Sequence, residues 1–141
     1  MNLLRYSKIL IVDDSRFFRV VIKKILTEAK IGMIYYEAVD GKEAISQYVT
    51  HKPNLVIIDI IMPGIDGIKA TQAITKYDPN AKIIVVSTKD NKETVNAVVN
   101  IGKARDYLLK PFDSGQVVMA VSKQLVTSRL KVRNKISNLQ H

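Results

Sequence analysis

Five short strand-like segments, each followed by a segment of helical period, leave this chain few ways to fold. They are Ile9–Val12, Met33–Ala38, Leu55–Asp59, Ile83–Ser87 and Arg105–Leu109, and the first, third and fourth open on four consecutive apolar residues. A run apolar at every position, too short for a helix and bounded by turn residues, reads as a strand buried on both faces, as in parallel sheets. Between and after the runs, apolar residues recur at helical spacing. They are Phe17, Phe18, Val21, Ile22, Ile25 and Leu26; then Ala44, Ile45 and Tyr48; then Ile68, Thr71, Ala73 and Ile74; then Val95, Val98 and Val99; then Val117, Val118, Val121 and Leu125. Start and stop signals agree. Asp14 or Ser15, Asp40 with Glu43 three residues on, Asp66, and Asp113 or Ser114 suit helix N-caps. Gly32, Pro53, Pro79 and Gly102 close elements, and Asn91 to Ile101 is predicted as one helix. Strand and helix alternating five times predicts an α/β protein with a parallel sheet covered on both faces. Right-handed crossovers narrow the topology, and five strands fit the flavodoxin-like order 2-1-3-4-5.

The 141 residues suit one domain with a real core. With no cysteine, disulfides and thiolate metal sites are excluded. No apolar run approaches the ~20 residues needed to span a bilayer, and the N-terminus lacks a secretory apolar region, so a cytoplasmic protein without membrane insertion is expected. The formal charge of +9 invites a nucleic-acid reading. Its distribution tempers that: residues 123–141 hold Lys123, Arg129, Lys131, Arg133 and Lys135 and no acid, and the other charges are spread over helix faces. The basic tail is a composition shift beginning near Thr127.

The chemistry lies at the strand exits. Asp13 and Asp14 follow the first segment, Asp59 ends the third, Ser87 ends the fourth with Thr88 next, and Lys110 follows the fifth. In the order 2-1-3-4-5 the first and third strands are neighbours, which puts three carboxylates at the topological switch point where open α/β sheets bind ligands. At ~4 Å a like-charge pair costs about 1 kcal/mol in water and ~4 kcal/mol at an effective dielectric of 20. Such a cluster calls for a cation or raised pKa values. Hard carboxylate oxygens in small number suit Mg²⁺, which keeps several waters and bridges to phosphoryl groups. Lys110 adds a fixed positive charge and Ser87 a hydroxyl donor, completing a site for three phosphoryl oxygens beside an Asp nucleophile. Neither a GxxxxGK[ST] loop nor GxGxxG occurs, and His51 and His141 stand outside any HExxH pattern. Taken singly these residues are caps, strand-end acids and a helix stop; the case rests on their joint order.

The chain resembles the receiver domain of two-component response regulators of the CheY type. The resemblance rests on Val12-Asp13-Asp14-Ser15, Glu37-Ala38-Val39-Asp40-Gly41, Asp59-Ile60-Ile61-Met62-Pro63-Gly64-Ile65-Asp66-Gly67, Val86-Ser87-Thr88 and Tyr107-Leu108-Leu109-Lys110-Pro111-Phe112. It implies a receiver domain over residues 7–126 and a basic extension over 127–141, helical or disordered. By the same resemblance Asp59 is the phosphoacceptor, supplied by a sensor histidine kinase or phosphotransfer protein. Asp14 and Asp59 would bind Mg²⁺ directly, with the Ile61 carbonyl as third ligand and Asp13 acting through water. Lys110 would pair with the phosphoryl group, Ser87 would swing in to hydrogen-bond it, and Tyr107 would rotate inward behind as a switch. The Lys110–Pro111 bond is expected cis. Output would be a protein–protein contact with a downstream target, in a chemotaxis-type or phosphorelay role, and the protein would not be an enzyme beyond its own phosphorylation and dephosphorylation.

The chain departs from the family pattern at Thr88, where Ala or Gly is usual, and at Lys103, where Ala commonly follows Gly102. Ile61 and Lys89, two residues past the acceptor and past Ser87, occupy positions that influence phosphoryl lifetime. Apolar Ile61 is a poor orienter of an attacking water, so slow self-dephosphorylation is expected. A phosphatase of related fold would need an acid at Ile61 and is disfavoured. The alternative function is a nucleic-acid-binding or dimerising regulator acting through the tail. There Val118, Leu125, Val132 and Leu139 recur every seven residues, which permits a homodimer seam, while Ser128 and Lys135 interrupt it.

Overall fold

A computed structural model of the chain describes residues 3–60, 62, 66–88 and 91–139, with 127–139 described as backbone. After a 3₁₀ turn at Leu3–Tyr6, the order is β1 (Lys8–Val12), α1 (Arg16–Glu28), β2 (Ile34–Ala38), α2 (Gly41–His51), β3 (Leu55–Asp59), α3 (Gly67–Tyr77), β4 (Ile83–Ser87), α4 (Lys92–Asn96) running into a π-helical turn (Ala97–Ile101), β5 (Asp106–Leu109) and α5 (Ser114–Leu139). All the strand pairs are parallel and the sheet order is β2-β1-β3-β4-β5. This is the flavodoxin-like arrangement that the alternation predicts.

Strand side chains alternate between faces, and this splits the core in two. Leu10, Val12, Val56, Ile58, Ile83 and Val85 pack with Ala44, Tyr48, Ala70, Ile74 and Val98 beneath α2, α3 and the π turn. Ile9, Ile11, Leu55, Ile57, Ile84 and Val86 pack with Ile22, Leu26, Val117, Val121 and Leu125 beneath α1 and α5. The central strands β1, β3 and β4 are therefore buried on both faces, which is why they read as unbroken apolar runs. Among the described residues no helix is long and apolar enough to cross a membrane.

Caps start the helices where the carboxylates and hydroxyls stand. Ser15 Oγ accepts from Phe18 N–H at 3.3 Å, Asp40 Oδ1 from Glu43 N–H at 2.8 Å, and Asp66 Oδ1 from Lys69 N–H at 2.8 Å. Asp113 Oδ1 accepts from Gln116 N–H at 2.8 Å while Gln116 Oε1 accepts from Asp113 N–H at 2.9 Å, a reciprocal box.

Three local readings need correction. Phe17, read into the inner stripe of α1, is 77% exposed; it lies in the first turn, where the helix begins beyond the sheet edge. α1 ends at Glu28 rather than at Gly32, because Lys30 already takes a left-handed φ of 59°. The segment from Asn91 is not one regular helix: Gly102 N–H bonds to the Ala97 carbonyl, five residues back. The wider turn shifts the helical phase, so Val98 is buried while Val99 faces solvent.

Candidate functional site

Each candidate side chain is delivered by a strand exit. Beyond β1, Asp13 N–H donates to the Ala38 carbonyl at 3.1 Å, extending the ladder by one residue. Asp13 Oδ1 accepts from Ser15 N–H at 2.9 Å. The turn that begins α1 thus holds Asp13 buried, 2% exposed, and leaves Asp14 exposed. Arg19, on the first turns of α1, secures this loop. Its Nη1 donates to the Asp13 carbonyl at 2.6 Å and its Nε to Glu37 Oε1 at 3.0 Å.

β3 ends on Asp59, half-buried and in register with Val86 of β4. The chain then passes under α3 closely. A Cβ at Gly67 would overlap the Asp59 carbonyl and lie 2.7 Å from Ile60 Cα. That position admits no side chain without moving the backbone that carries Asp59. Ser87, one residue beyond Val86, is buried, and its carbonyl accepts from Lys110 N–H at 2.7 Å. The exits of β4 and β5 are joined there, just before the Lys110–Pro111 bond, which is cis as the resemblance implies.

Asp13, Asp14 and Asp59 each place a carboxylate oxygen within 4.8 Å of the others. Lys110 Nζ lies 3.2 Å from Asp59 Oδ2 and 3.8 Å from Asp13 Oδ2. Three carboxylates against one ammonium leave two uncompensated negative charges when all are ionised. Burial pushes the Asp13 carboxyl up to about 6; the Ser15 amide lowers it, the neighbouring Asp59 charge raises it, Lys110 lowers it and a bond with Asp14 raises it. Asp13 Oδ2 is moreover buried with no hydrogen-bond partner. A buried oxygen without a hydrogen bond, in a pocket short of two positive charges and built from hard donors, fits a small divalent cation such as Mg²⁺.

Of the residues read from the sequence, the fold brings together Asp13, Asp14, Asp59 and Lys110, with Ser87 at the adjoining strand exit. Tyr107 stands apart from them, half-buried on β5 opposite Val85 and packed on the α2–α3 side of the core. Ile61 and Lys89 lie outside the described residues. Two neighbours of the site escaped the sequence reading. Phe18 fits the inner stripe of α1 and does pack against the core, so its contact with Lys110 leaves no mark in the sequence, and Arg19 carries no local signal, since its partners Asp13 and Glu37 meet only through the pairing of β1 with β2.

Over residues 9–122 the chain matches the response regulator receiver domain family. Chemotaxis protein CheY of Thermotoga maritima is 42% identical over 117 residues, 83% of this chain and 96% of that protein. Chemotaxis protein CheY of Bacillus subtilis is 39% identical over 118 residues, 84% of this chain and 97% of that one. Among solved structures, the CheX–CheY–BeF₃–Mg²⁺ complex from Borrelia burgdorferi matches with a TM-score of 0.77 at 33% identity, covering 83% of this chain and 87% of that one.

Proposed function

Because the chain belongs to the response regulator receiver family of two-component signalling, we propose that it works as a phosphorylation-controlled receiver in the cytoplasm, taking a phosphoryl group from a phosphohistidine onto Asp59. The observation that carries this reading is the 3.2 Å contact of Lys110 Nζ with Asp59 Oδ2 beside the acids at the neighbouring strand exit. An Asp59 carboxylate oxygen attacks phosphorus, the P–N bond breaks with its electron pair leaving on the imidazole, and an acyl phosphate forms. Asp14 and Asp59 would hold Mg²⁺, with the Ile61 carbonyl as third ligand and Asp13 through water. The bound ion supplies charge neutralisation for phosphoryl oxygens in transfer. A relative crystallised with BeF₃ and Mg²⁺ supports the same pairing of groups here.

The chain's own residues do the rest. Asp13, backed by the Ser15 amide, sets the field at the back of the pocket. Lys110 meets the new charge, about −1.5 to −2. Ser87 donates its hydroxyl to a phosphoryl oxygen, and Tyr107 turns inward behind it, so that a local charge change biases a two-state surface. That surface, formed by α4, β5 and α5, would bind a downstream protein. The chemotaxis relatives support an output of the motility type, with a phosphorelay role as the other member of the same class. The receiver occupies residues 7–126, and the helical continuation of α5 forms the basic extension.

The test is incubation with Mg²⁺ and acetyl phosphate, followed by intact mass of wild type and Asp59→Asn. A gain of one phosphoryl mass in wild type alone supports the reading; no gain, or an equal gain in both, refutes it.

A further inference from the structure

We propose that Phe18 is a positioning residue for Lys110, its ring face holding the ammonium over the carboxylate pocket. This rests on the reading of Asp59 as phosphoacceptor. Lys110 Nζ lies 3.9 Å from the Phe18 ring centroid, well inside the ~6 Å range of a cation–π contact. The same nitrogen faces Asp59 Oδ2 and Asp13 Oδ2. The ammonium is therefore held between two carboxylates and a ring.

Phe18 is anchored through both its backbone and its ring. Its backbone N–H donates to Ser15 Oγ, at the turn that carries Asp13 and Asp14. Its ring packs on Phe112 with centroids 5.6 Å apart and planes at 77°, an edge arrangement. Phe112 belongs to the loop that follows Lys110. Phe18 so connects the loop bearing the acids to the loop bearing the lysine.

The contact answers a specific need. Lysine is a point charge on a flexible four-carbon stem. Lys110 itself borders an open apolar groove together with Phe17, Phe18, Val21, Thr88 and Pro111, so its stem has room to swing away from the acids. The contact with the ring holds the ammonium against that freedom. A π face also attracts a cation without directing a hydrogen bond, so the ammonium can shift toward a newly arrived phosphoryl group without first breaking one.

Site-specific replacement of Phe18 by mono-, di- and trifluorophenylalanine weakens the π face in steps while nearly preserving shape. Two measurements on the full chain read the result. Proton NMR of Lys110 should show its ε-methylene signals shifted upfield by the ring in wild type, and returned to ordinary positions in Phe18→Leu. The initial rate of Asp59 labelling by acetyl phosphate and Mg²⁺ should fall in order across the fluorinated series, reaching roughly three- to tenfold in Phe18→Leu, with Phe18→Tyr near wild type. An unshifted wild-type Lys110 overturns the proposal. So does a flat rate across the series in a protein that labels normally, since a ring serving only to fill space would give that result. Failure of wild type to label at all would instead refute the phosphoacceptor reading, and this one with it.

Discussion

Asp13→Asn should stabilise the cation-free protein at neutral pH and lose that advantage in acid. Asp13 is nearly inaccessible, and burial lifts its carboxyl from 3.8 to about 6. An acid raised in this way keeps its proton longer in the native state than in the unfolded chain. Stability therefore falls as the pH climbs from about 4 to about 6, and stays lower above that window. A displacement of about two pH units at 1.36 kcal/mol each amounts to ~3 kcal/mol. That figure is already net of the attraction of Lys110 at 3.8 Å and of the Ser15 amide, for which asparagine keeps an oxygen, so a gain of about 1–3 kcal/mol is expected at pH 7.5. For a chain of this size that is on the order of 3–10 °C in Tm. The assay is thermal and urea unfolding of both proteins at pH 4 and pH 7.5 in chelator, then with 10 mM Mg²⁺. The gap should open at pH 7.5, close at pH 4, and shrink or reverse with Mg²⁺, which stabilises only a pocket that keeps its charge. Asp13→Asn being less stable at pH 7.5 in chelator, or a gap independent of pH, would refute the reasoning.

Gly67→Ala should cost at least ~1–3 kcal/mol in urea unfolding, because the added methyl meets the backbone of Asp59 and Ile60 rather than a movable side chain; it should also slow labelling of Asp59, and an unperturbed variant would count against the close approach. Purified phosphoprotein should lose its phosphoryl group slowly, since apolar Ile61 does not orient water; a half-life of seconds by intact mass would contradict this. Any binding of the chain to duplex DNA should weaken linearly on a log–log plot against salt and vanish on removing residues 127–141. Salt-independent binding, or binding unchanged by the truncation, would count against a polyanion site in the extension.

The sequence revealed the architecture and the acid–lysine pocket for the same reason. Strands buried on both faces cannot hide their pattern, and the residue at each strand exit is placed by the sheet order, not by local conformation. Leu55–Asp59 and Ile83–Ser87 were legible to the residue. The edge strand β2 and the short β5 were legible only to within a residue, since Met33 and Arg105 lie just outside them. What escaped depends on packing between distant segments. The π turn at Ala97–Ile101 leaves the helical apolar spacing nearly intact while moving Val99 out of the core. Phe18 fits an inner helix stripe and packs there, and only the approach of the loop after β5 shows its contact with Lys110. Arg19 bonds to a backbone carbonyl, which no side-chain pattern records.

The central claim is that Asp59, among all the carboxylates of this chain, takes the phosphoryl group. Labelling with acetyl phosphate and Mg²⁺, reduction of the acyl phosphate with borohydride, and peptide mass mapping tests it most directly. The account predicts conversion at Asp59 in wild type, and much less in Lys110→Ala. Conversion at Asp13, Asp14 or a carboxylate outside the pocket, with Asp59 untouched, would contradict it.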